Sequence, residues 1–430
     1  MPSFSFFTTL VWLGLFATVQ AQVKYLGVAM AGGDFGCDIY GFCPLSTATL
    51  PLTELGHADG AGQMQHFVKD DGVSMFRLPT SWQFLINNDK VASDKLDPTN
   101  AGQYDMFVQA CLSTGAYCML DVHNFARFNG AIVGQGGPPD EMFVAIWVAL
   151  AETYANDSRV VFEITNEPHD LDLDLWVQTC QKVVTGIRNA GATTQMILLP
   201  GVNFDSASTL VTTGGADALM NITNPDGSID GLYLDIHKYL DNRNSGLTGD
   251  CATNNIGNFS MVADYLRKTK RKGLVSETGA SSSRDCMIDF CAQNEYINAN
   301  GDVFIGLVAW AAGQFDTSYV LSLTPTLEPN GSYTDNQLFS QCVLGPYLGS
   351  DVPVLPSQTS STSPSSTSTL THTATLAAES SSNKSGLKGG YNASSITPAS
   401  TPTPTNAAQS RSIYVVKNVI VAVMAGAALF

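Results

Sequence analysis

The sequence is poor in charged residues, and basic side chains are the scarcest of them. Only 14% of the 430 residues are charged, with 21 Lys and Arg against 38 Asp and Glu, which gives a formal charge of -17 and a pI near 4.5. A nucleic-acid-binding protein needs a basic surface to meet phosphates, so this composition argues against one. An uncharged polymer stays compatible with it as a partner, because its binding requires no complementary charge.

Two signatures of cofactor-dependent proteins are also absent. No Gly-x-Gly-x-x-Gly follows the first strand-like run, as a dinucleotide-binding sheet would require, and no Cys/His spacing resembles a zinc site. We therefore expect neither a cofactor nor a metal. The hydrophobic fraction of 44% is too high for a wholly disordered chain, and 38 Gly with 9% aromatic residues favour a loop-rich enzyme over a helical bundle.

The first 21 residues have the pattern of a secretory signal peptide. An apolar stretch over residues 6–16 precedes Val19-Gln20-Ala21, which resembles a small-x-small cleavage site. No Lys or Arg precedes the stretch, so only the terminal amine supplies positive charge there. A first membrane span is the alternative, but the apolar run is short for one. We expect residues 1–21 to be removed on secretion.

The last 80 or so residues read as a stalk followed by a lipid-attachment signal. Residues 349–406 are dominated by Ser, Thr, Pro and Ala, a composition that cannot form a core and is typical of an O-glycosylated stalk. Asn406-Ala407-Ala408, a short polar spacer and an apolar tail over residues 419–430 match a GPI signal, with Asn406 as attachment point and 407–430 as propeptide. A tail-anchoring helix is the alternative, but the tail is only about half a bilayer span.

The cysteines and glycosylation sequons agree with a secreted chain. Most of the nine cysteines should pair outside the cell, although spacing alone does not fix their connectivity. Cys180 is left over on an apolar helical stripe, so we expect a buried free thiol rather than a nucleophile. The pairings that suggest themselves are Cys37 with Cys43, Cys111 with Cys118, Cys251 with Cys286, and Cys291 with Cys342. The sequons stand at Asn156, Asn221, Asn258, Asn330, Asn383 and Asn392.

Eight short apolar runs predict the fold. Intervals of roughly 30 to 50 residues leave room for one helix and two loops between them. The runs are continuous rather than alternating, which favours parallel strands buried on both faces, and helical periodicity lies between them. We predict an α/β fold, a (β/α)8 TIM barrel, as a single catalytic domain over residues 22–348; an open doubly wound sheet is the alternative. The runs are 25–28, 74–78, 117–121, 160–164, 196–199, 232–237, 273–277 and 304–310.

Polar side chains stand at the ends of these predicted strands. In a (β/α)8 barrel all such C-terminal ends open on one face, so two carboxylates from strands four and seven should meet there. Each residue alone has a structural alternative: a helix-opening acid, an ion pair, a buried imidazole or a core aromatic. Their joint placement at one end of different strands favours a functional site. The residues are Arg77, Asp121, His123, Asn124, Asn166, Glu167, His237, Tyr239, Glu277 and Trp310.

The motifs that contain these residues resemble glycoside hydrolase family 5. They are Phe76-Arg77-Leu78-Pro79, Asp121-Val122-His123-Asn124, Asn166-Glu167-Pro168, Ile236-His237-Lys238-Tyr239, Ser276-Glu277-Thr278-Gly279 and Trp310. The run from His237 to Asp241 with Asn244-Ser245-Gly246 is similar to the fungal endo-β-1,4-glucanase branch, as are the cysteine pairs. The resemblance spans residues 23–343. Asn203-Phe204 departs from it, since related enzymes often carry a Trp at that place.

The resemblance implies a retaining mechanism with two carboxyl groups in opposite roles. Glu277 would be the nucleophile and Glu167 the acid/base. We expect Arg77 and Tyr239 to lower the pKa of Glu277, and burial with the charge of Glu277 to keep Glu167 protonated. Asn166 would hold the sugar 2-hydroxyl.

Other side chains are expected to shape the sugar site. His123 and His237 would lie beside the scissile bond, Trp310 would offer an apolar face to a pyranose ring, and Trp82 is a second candidate for such a face. The expected partner is a β-glucan, with no nucleic acid, membrane contact only through a GPI lipid, and a monomeric state. The expected location is the extracellular face of the plasma membrane or the cell wall.

Two alternatives remain at this point. The same carboxylate pair would serve a β-1,3-glucan or mannan hydrolase or a transglycosylase in wall remodelling. A non-catalytic wall-binding or adhesive protein is the alternative from another class, because a fold alone does not imply activity.

Overall fold

The computed structural model describes residues 22–349 of the chain. The predicted signal peptide, nearly all of the predicted stalk and the attachment signal lie outside these residues, together with Asn383, Asn392 and Asn406, and their interpretation stays a prediction. Across residues 22–349, no helix is both long and apolar enough to cross a bilayer.

Eight parallel strands form a closed barrel. Each strand pairs with its neighbours in chain order, and the first pairs with the last. Every strand overlaps one of the apolar runs, which confirms the (β/α)8 fold. The strands are β1 Tyr25–Ala31, β2 Met75–Thr80, β3 Tyr117–Val122, β4 Val160–Glu163, β5 Met196–Leu199, β6 Leu232–His237, β7 Gly273–Thr278 and β8 Phe304–Gly313.

Helices follow the strands around the barrel, and local sequence signals set where several of them start. Asp97 caps the helix Pro98–Ser113 by accepting hydrogen bonds from its first turn, and Pro98 takes the first helical position, where its missing N–H costs nothing. Ser81 and Asp172 cap the helices Trp82–Ile86 and Leu173–Asn189 in the same way. The helices are α1 Gly60–Lys69, α2 Trp82–Ile86, α3 Pro98–Ser113, α4 Asp140–Tyr154, α5 Leu173–Asn189, α6 Gly215–Leu219, α7 Ile256–Thr269, α8 Arg284–Asn298 and α9 Gly345–Leu348.

Smaller elements complete the domain. A 3₁₀ helix spans Thr53–Leu55 and a π-helix spans Phe339–Leu344. Two short antiparallel pairs lie outside the barrel: Arg127–Phe128 with Ala131–Ile132, and Thr326–Leu327 with Tyr333–Thr334.

Side chains of the strands alternate between two apolar layers. Met75 and Met119 belong to the cluster inside the barrel, whereas Phe76, Cys118 and Leu120 belong to the layer between the strands and the helices. This is the period of two that a β-strand imposes. The alternation also decides which polar side chains can reach the barrel interior, and so it positions the site described below.

Four disulfides join the pairs that the sequence suggested. Their partners are Cys37 and Cys43, Cys111 and Cys118, Cys251 and Cys286, and Cys291 and Cys342. Two of them converge on α8, which carries both Cys286 and Cys291. Cys180 is a buried free thiol on α5, as expected. Among the described sequons, Asn156, Asn221 and Asn330 are exposed, and Asn258 is half-buried.

Candidate active site

The centre of the site is the guanidinium of Arg77, which is completely buried inside the barrel. Met75 faces the interior, so the alternation of β2 places Arg77 there as well. A buried cation must be paired, and Arg77 has three carboxylates around it. It donates to Glu163 from Nε at 2.6 Å and again from Nη2, lies 2.9 Å from Asp121 Oδ2, and donates from Nη1 to Glu277.

Arg77 also connects this network to the residue that precedes Glu167. Its Nη2 donates to Asn166 Oδ1 at 2.7 Å. The guanidinium therefore fixes the orientation of the Asn166 amide, with its oxygen turned toward Arg77.

Glu277 reaches the interior because β7 contains one extra residue. Ile236 pairs with Val275 and His237 with Glu277, and on the other side Leu307 pairs with Val275 and Ala309 with Thr278. The pairing with both neighbouring strands thus shows the same β-bulge in β7. The bulge shifts the alternation of the β7 side chains by one position. Without it, Glu277 would point into the helix layer.

The surroundings of Glu277 favour its charged form. Burial would raise the pKa of this carboxyl, but the charge of the Arg77 guanidinium and a hydrogen bond from Tyr239 act against burial, and the pKa is lowered. The Tyr239 hydroxyl donates to Glu277 Oε1 at 2.8 Å. A carboxylate that is ionised and held from two sides is suited to act as a nucleophile.

Glu167 lies in the loop that follows β4, and its backbone is held in a left-handed conformation with φ 44°. Its N–H donates to Asp205 Oδ2 at 3.0 Å, which fixes this turn. Burial and the negative charge of Glu277 raise the pKa of the Glu167 carboxyl well above its ordinary value. The two carboxyl groups are therefore driven to opposite protonation states, as acid and nucleophile require.

The two carboxyl groups are close together. Donor atoms of Glu167, His237 and Glu277 all lie within 4.8 Å of one another. Retaining glycosidases keep their carboxyl groups about 5–5.5 Å apart, whereas inverting enzymes need about 6.5–9.5 Å to admit a water molecule. The arrangement therefore suits a double displacement.

His237 stands between the two carboxyl groups. Its Nδ1 is 3.0 Å from Glu167 Oε1 and 4.0 Å from Glu277 Oε1. Burial lowers the pKa of His237 to about 3, with Arg77 acting in the same direction, so the ring is neutral at ordinary pH. A neutral imidazole can hydrogen-bond Glu167 without adding a charge that would ionise it.

His123 and Trp310 form a wall of the site. His123 Nδ1 is bound to Asp121 Oδ2 at 2.7 Å, and its ring stacks on Trp310 with 5.8 Å between centroids. Trp310 Nε1 donates to the Tyr319 hydroxyl at 3.3 Å, and Tyr319 in turn stacks on Phe315 at 3.7 Å. This aromatic edge lies next to Arg77, whose guanidinium carbon is 5.9 Å from the Trp310 ring centre.

Two residues expected at the sugar site have structural positions instead. Trp82 is fully buried, packs against Phe128 and Phe143, and donates from Nε1 to Ser93 O at 3.0 Å, so no ring face is left for a sugar. That expectation was wrong, because Ser81 caps α2 at this point and turns the indole into the core.

Asn124 holds the loop after β3 rather than a ligand. Its side-chain oxygen accepts from the Trp82 N–H at 2.7 Å, and its amide donates to Gln83 Oε1 and to Arg127 O. All its polar atoms are occupied by the chain itself.

Sequence reasoning missed three buried acids. Glu163 lies in β4 and Asp235 in β6, both at interior positions, and an acid inside an apolar strand was the available signal. Burial raises the pKa of Asp235 to about 7. Asp205, which accepts the Glu167 N–H, lies in a loop after β5 and carries no local signal.

Residues 41–315 match the family model described as Cellulase (glycosyl hydrolase family 5). The chain belongs to glycoside hydrolase family 5. This confirms the family that the strand-end motifs predicted.

The chain is similar to fungal endoglucanases. The chain is 50% identical over 329 residues to endoglucanase EG-II of Hypocrea jecorina, covering 75% of this chain and 78% of that protein. It is 44% identical over 321 residues to endoglucanase 1 of Saitozyma flava, covering 74% and 88%. The crystal structure of Cel5A (EG2) from Hypocrea jecorina is similar with a TM-score of 0.73 and 49% identity, covering 75% of this chain and 98% of that one.

Proposed function

We propose that this family 5 protein is an endo-acting β-1,4-glucanase that cleaves internal bonds of cellulose or a related β-glucan with retention of anomeric configuration. The observation that carries this proposal is the Glu167–Glu277 pair, whose oxygens lie within 4.8 Å and whose pKa shifts are opposite. The names of the fungal relatives, both endoglucanases, support the substrate.

In the first step a carboxylate oxygen of Glu277 attacks the anomeric carbon. The bond between that carbon and the glycosidic oxygen breaks, and the oxygen takes the proton of Glu167. The products are a covalent glycosyl-enzyme and a free sugar hydroxyl. Arg77 and Tyr239 hold Glu277 in place for this attack, and Asn166 is oriented by Arg77 to offer its NH₂ group to the 2-hydroxyl.

In the second step a water molecule attacks the same carbon from the side that the leaving group vacated. Glu167 now takes a proton from the water, and Glu277 leaves with the electron pair of the ester bond. Neutral His237 with its proton on Nδ1 can donate to Glu167 Oε1 in both states, whether this oxygen belongs to the acid's carbonyl or to the carboxylate.

Substrate choice is tested by assaying carboxymethylcellulose, laminarin and mannan side by side. We expect the fastest reducing-sugar release from carboxymethylcellulose, with an early fall in viscosity that marks internal cleavage. Preference for laminarin or mannan would contradict the β-1,4-glucan assignment. Absence of hydrolysis on all three would favour the non-catalytic wall-binding alternative.

We further propose that the enzyme is displayed outside the cell on a glycosylated stalk with a GPI lipid at Asn406. The Ser/Thr/Pro-rich composition of residues 349–406 and the apolar tail within 407–430 support this. Deleting residues 407–430 should release active enzyme into the medium, and phosphatidylinositol-specific phospholipase C should release the full-length form from cells. Retention of the truncated chain on cells would contradict the anchor.

A further inference from the structure

One imidazole and three carboxylates form a second cluster, away from Glu167 and Glu277. His66 is in the last turn of α1, and Asp70 and Asp71 follow it in the connection to β2. Asp335 lies near the C-terminal end of the domain's sequence, directly after the strand Tyr333–Thr334. Because Asp71 precedes β2, the cluster lies toward the N-terminal ends of the strands, whereas the catalytic residues lie at the C-terminal ends.

The imidazole is held so that one nitrogen faces two carboxylates. His66 Nδ1 is 2.8 Å from Asp70 Oδ2, and Nε2 is 3.0 Å from Asp335 Oδ1 and 3.6 Å from Asp71 Oδ2. A carboxylate that accepts the Nδ1 proton is the second-shell arrangement common for histidines that bind metals through Nε2.

One of these carboxylates lacks the partner that its burial demands. The Asp71 side chain is only 9% exposed, and its Oδ2 has no hydrogen-bond partner among residues 22–349. A proton on His66 Nε2 can form a hydrogen bond to Asp335 Oδ1 at 3.0 Å, whereas Asp71 Oδ2 at 3.6 Å lies beyond hydrogen-bond distance. A buried carboxylate oxygen with no donor is costly, so a cation in front of it would remove a real penalty.

The spacing of the donors fits a divalent ion. His66 Nε2, Asp71 Oδ2 and Asp335 Oδ1 are the atoms involved, and the donor atoms of these three residues lie within 4.8 Å of one another. Adjacent ligands at about 2.0–2.2 Å from one ion lie roughly 2.8–3.1 Å apart in octahedral geometry and roughly 3.3–3.6 Å apart in tetrahedral geometry. The 3.0 Å distance from Nε2 to Asp335 fits the first and the 3.6 Å distance to Asp71 fits the second, so a small shift of one carboxylate would bring the donors to one ion.

We propose that His66, Asp71 and Asp335 form a binding site for one divalent cation of the Mn²⁺ or Zn²⁺ class. One imidazole nitrogen and two carboxylate oxygens are a donor set that such ions accept. The ion would fasten the segment after the Tyr333–Thr334 strand to the end of α1. Its role is structural, because the site is not at the catalytic end of the barrel. His66 and Asp335 are 269 positions apart, so no local spacing in the chain reports this site.

The test uses the full-length protein after dialysis against EDTA, with Mn²⁺ alone as the probe at pH 7. Electron paramagnetic resonance or calorimetry should show one Mn²⁺ bound per chain by this cluster. Mn²⁺ at 100 times its dissociation constant should raise Tm by about 5 °C. Asp71→Asn and Asp335→Asn should each weaken Mn²⁺ binding by about 10- to 100-fold.

Two control variants separate this site from other carboxylates. Asp264→Asn removes one exposed charge elsewhere, where the carboxylate lies 3.8 Å from Arg267, and should leave Mn²⁺ affinity unchanged. Glu167→Gln removes a carboxylate from the catalytic group and should also leave it unchanged.

Circular dichroism in EDTA establishes that the Asn variants fold, so a loss of binding can be assigned to the site. The proposal fails if wild-type protein binds no Mn²⁺, if its Tm is the same in EDTA and in Mn²⁺, or if both Asn variants bind Mn²⁺ as wild type does.

Discussion

Ser276 and Glu277 are consecutive in β7, yet both side chains face the barrel interior. Ser276 Oγ donates to Asp235, and Glu277 accepts from Arg77 and Tyr239. A regular strand cannot place neighbours on one face, so the bulge is what brings the carboxyl of strand seven opposite that of strand four. The proposed catalytic pair thus depends on one irregular residue in the sheet.

Glu277→Gln should lower kcat by ~10⁴-fold or more, because the amide cannot form the glycosyl-enzyme. The side chain keeps its size and its contacts to Arg77 and Tyr239, so binding of a cello-oligosaccharide should persist in calorimetry. Glu295→Gln, which makes the same change on the exposed face of α8, serves as the control and should remain fully active. Substantial turnover by Glu277→Gln would remove the nucleophile role.

The pH dependence of kcat/KM should be bell-shaped. The pKa of Glu277 is lowered, so activity is lost on its acid limb as this carboxylate takes up a proton. The pKa of Glu167 is raised, so activity is lost at higher pH as the acid ionises. The two limbs report the apparent pKa values of the pair. If kcat/KM did not fall at higher pH, Glu167 could not be the general acid.

Newly formed reducing ends should keep the β configuration. NMR of the first products, recorded before mutarotation, distinguishes the two anomers. The prediction rests on the nearest carboxyl oxygens of Glu167 and Glu277, which lie within 4.8 Å of each other, a separation that suits retaining enzymes better than inverting ones. Initial release of the α-anomer would exclude a double displacement.

Arg77→Met should lower the free energy of unfolding by about 3–5 kcal/mol, because it leaves buried carboxylates without their cation. Glu163 and Asp121 are completely buried, and Glu277 nearly so. Chemical denaturation measures the change. Arg267→Met, which removes an exposed ion pair with Asp302, is the control and should cost at most about 1 kcal/mol. Equal losses in the two variants would show that the Arg77 network does not stabilise the barrel.

Asp205→Ala should lower kcat by ~10²-fold with little change in KM, because the turn that carries Glu167 loses its anchor. Asp205 Oδ2 accepts the Glu167 N–H at 3.0 Å, and an Asn at this position can still accept it. Asp205→Asn should therefore retain most of the activity, and this difference separates positioning from a general loss of packing. Full kcat in Asp205→Ala would refute the role.

Local pattern was enough for the barrel and for the two carboxyl groups that the structure brings together, but not for the residues around them. Glu167 and Glu277 could be found because strand ends in this fold share one face, a rule that needs no coordinates. The expectation that Trp82 contacts a sugar was wrong, because the sequence around a strand end does not say whether the next turn faces the cleft or the core. Asp205 and Asp335 act through contacts between distant segments, and no spacing in the chain reports such contacts.

The two disulfides on α8 have a mechanical consequence. Cys286 ties this helix to the loop that carries Cys251, and Cys291 ties it to the π-helix through Cys342, close to the last described residue. A pull applied to the chain beyond residue 349 would be taken up by covalent bonds to α8 before it reached the hydrogen bonds of β8. An enzyme held by its C-terminal end against a moving polymer could in this way transmit tension without opening its barrel.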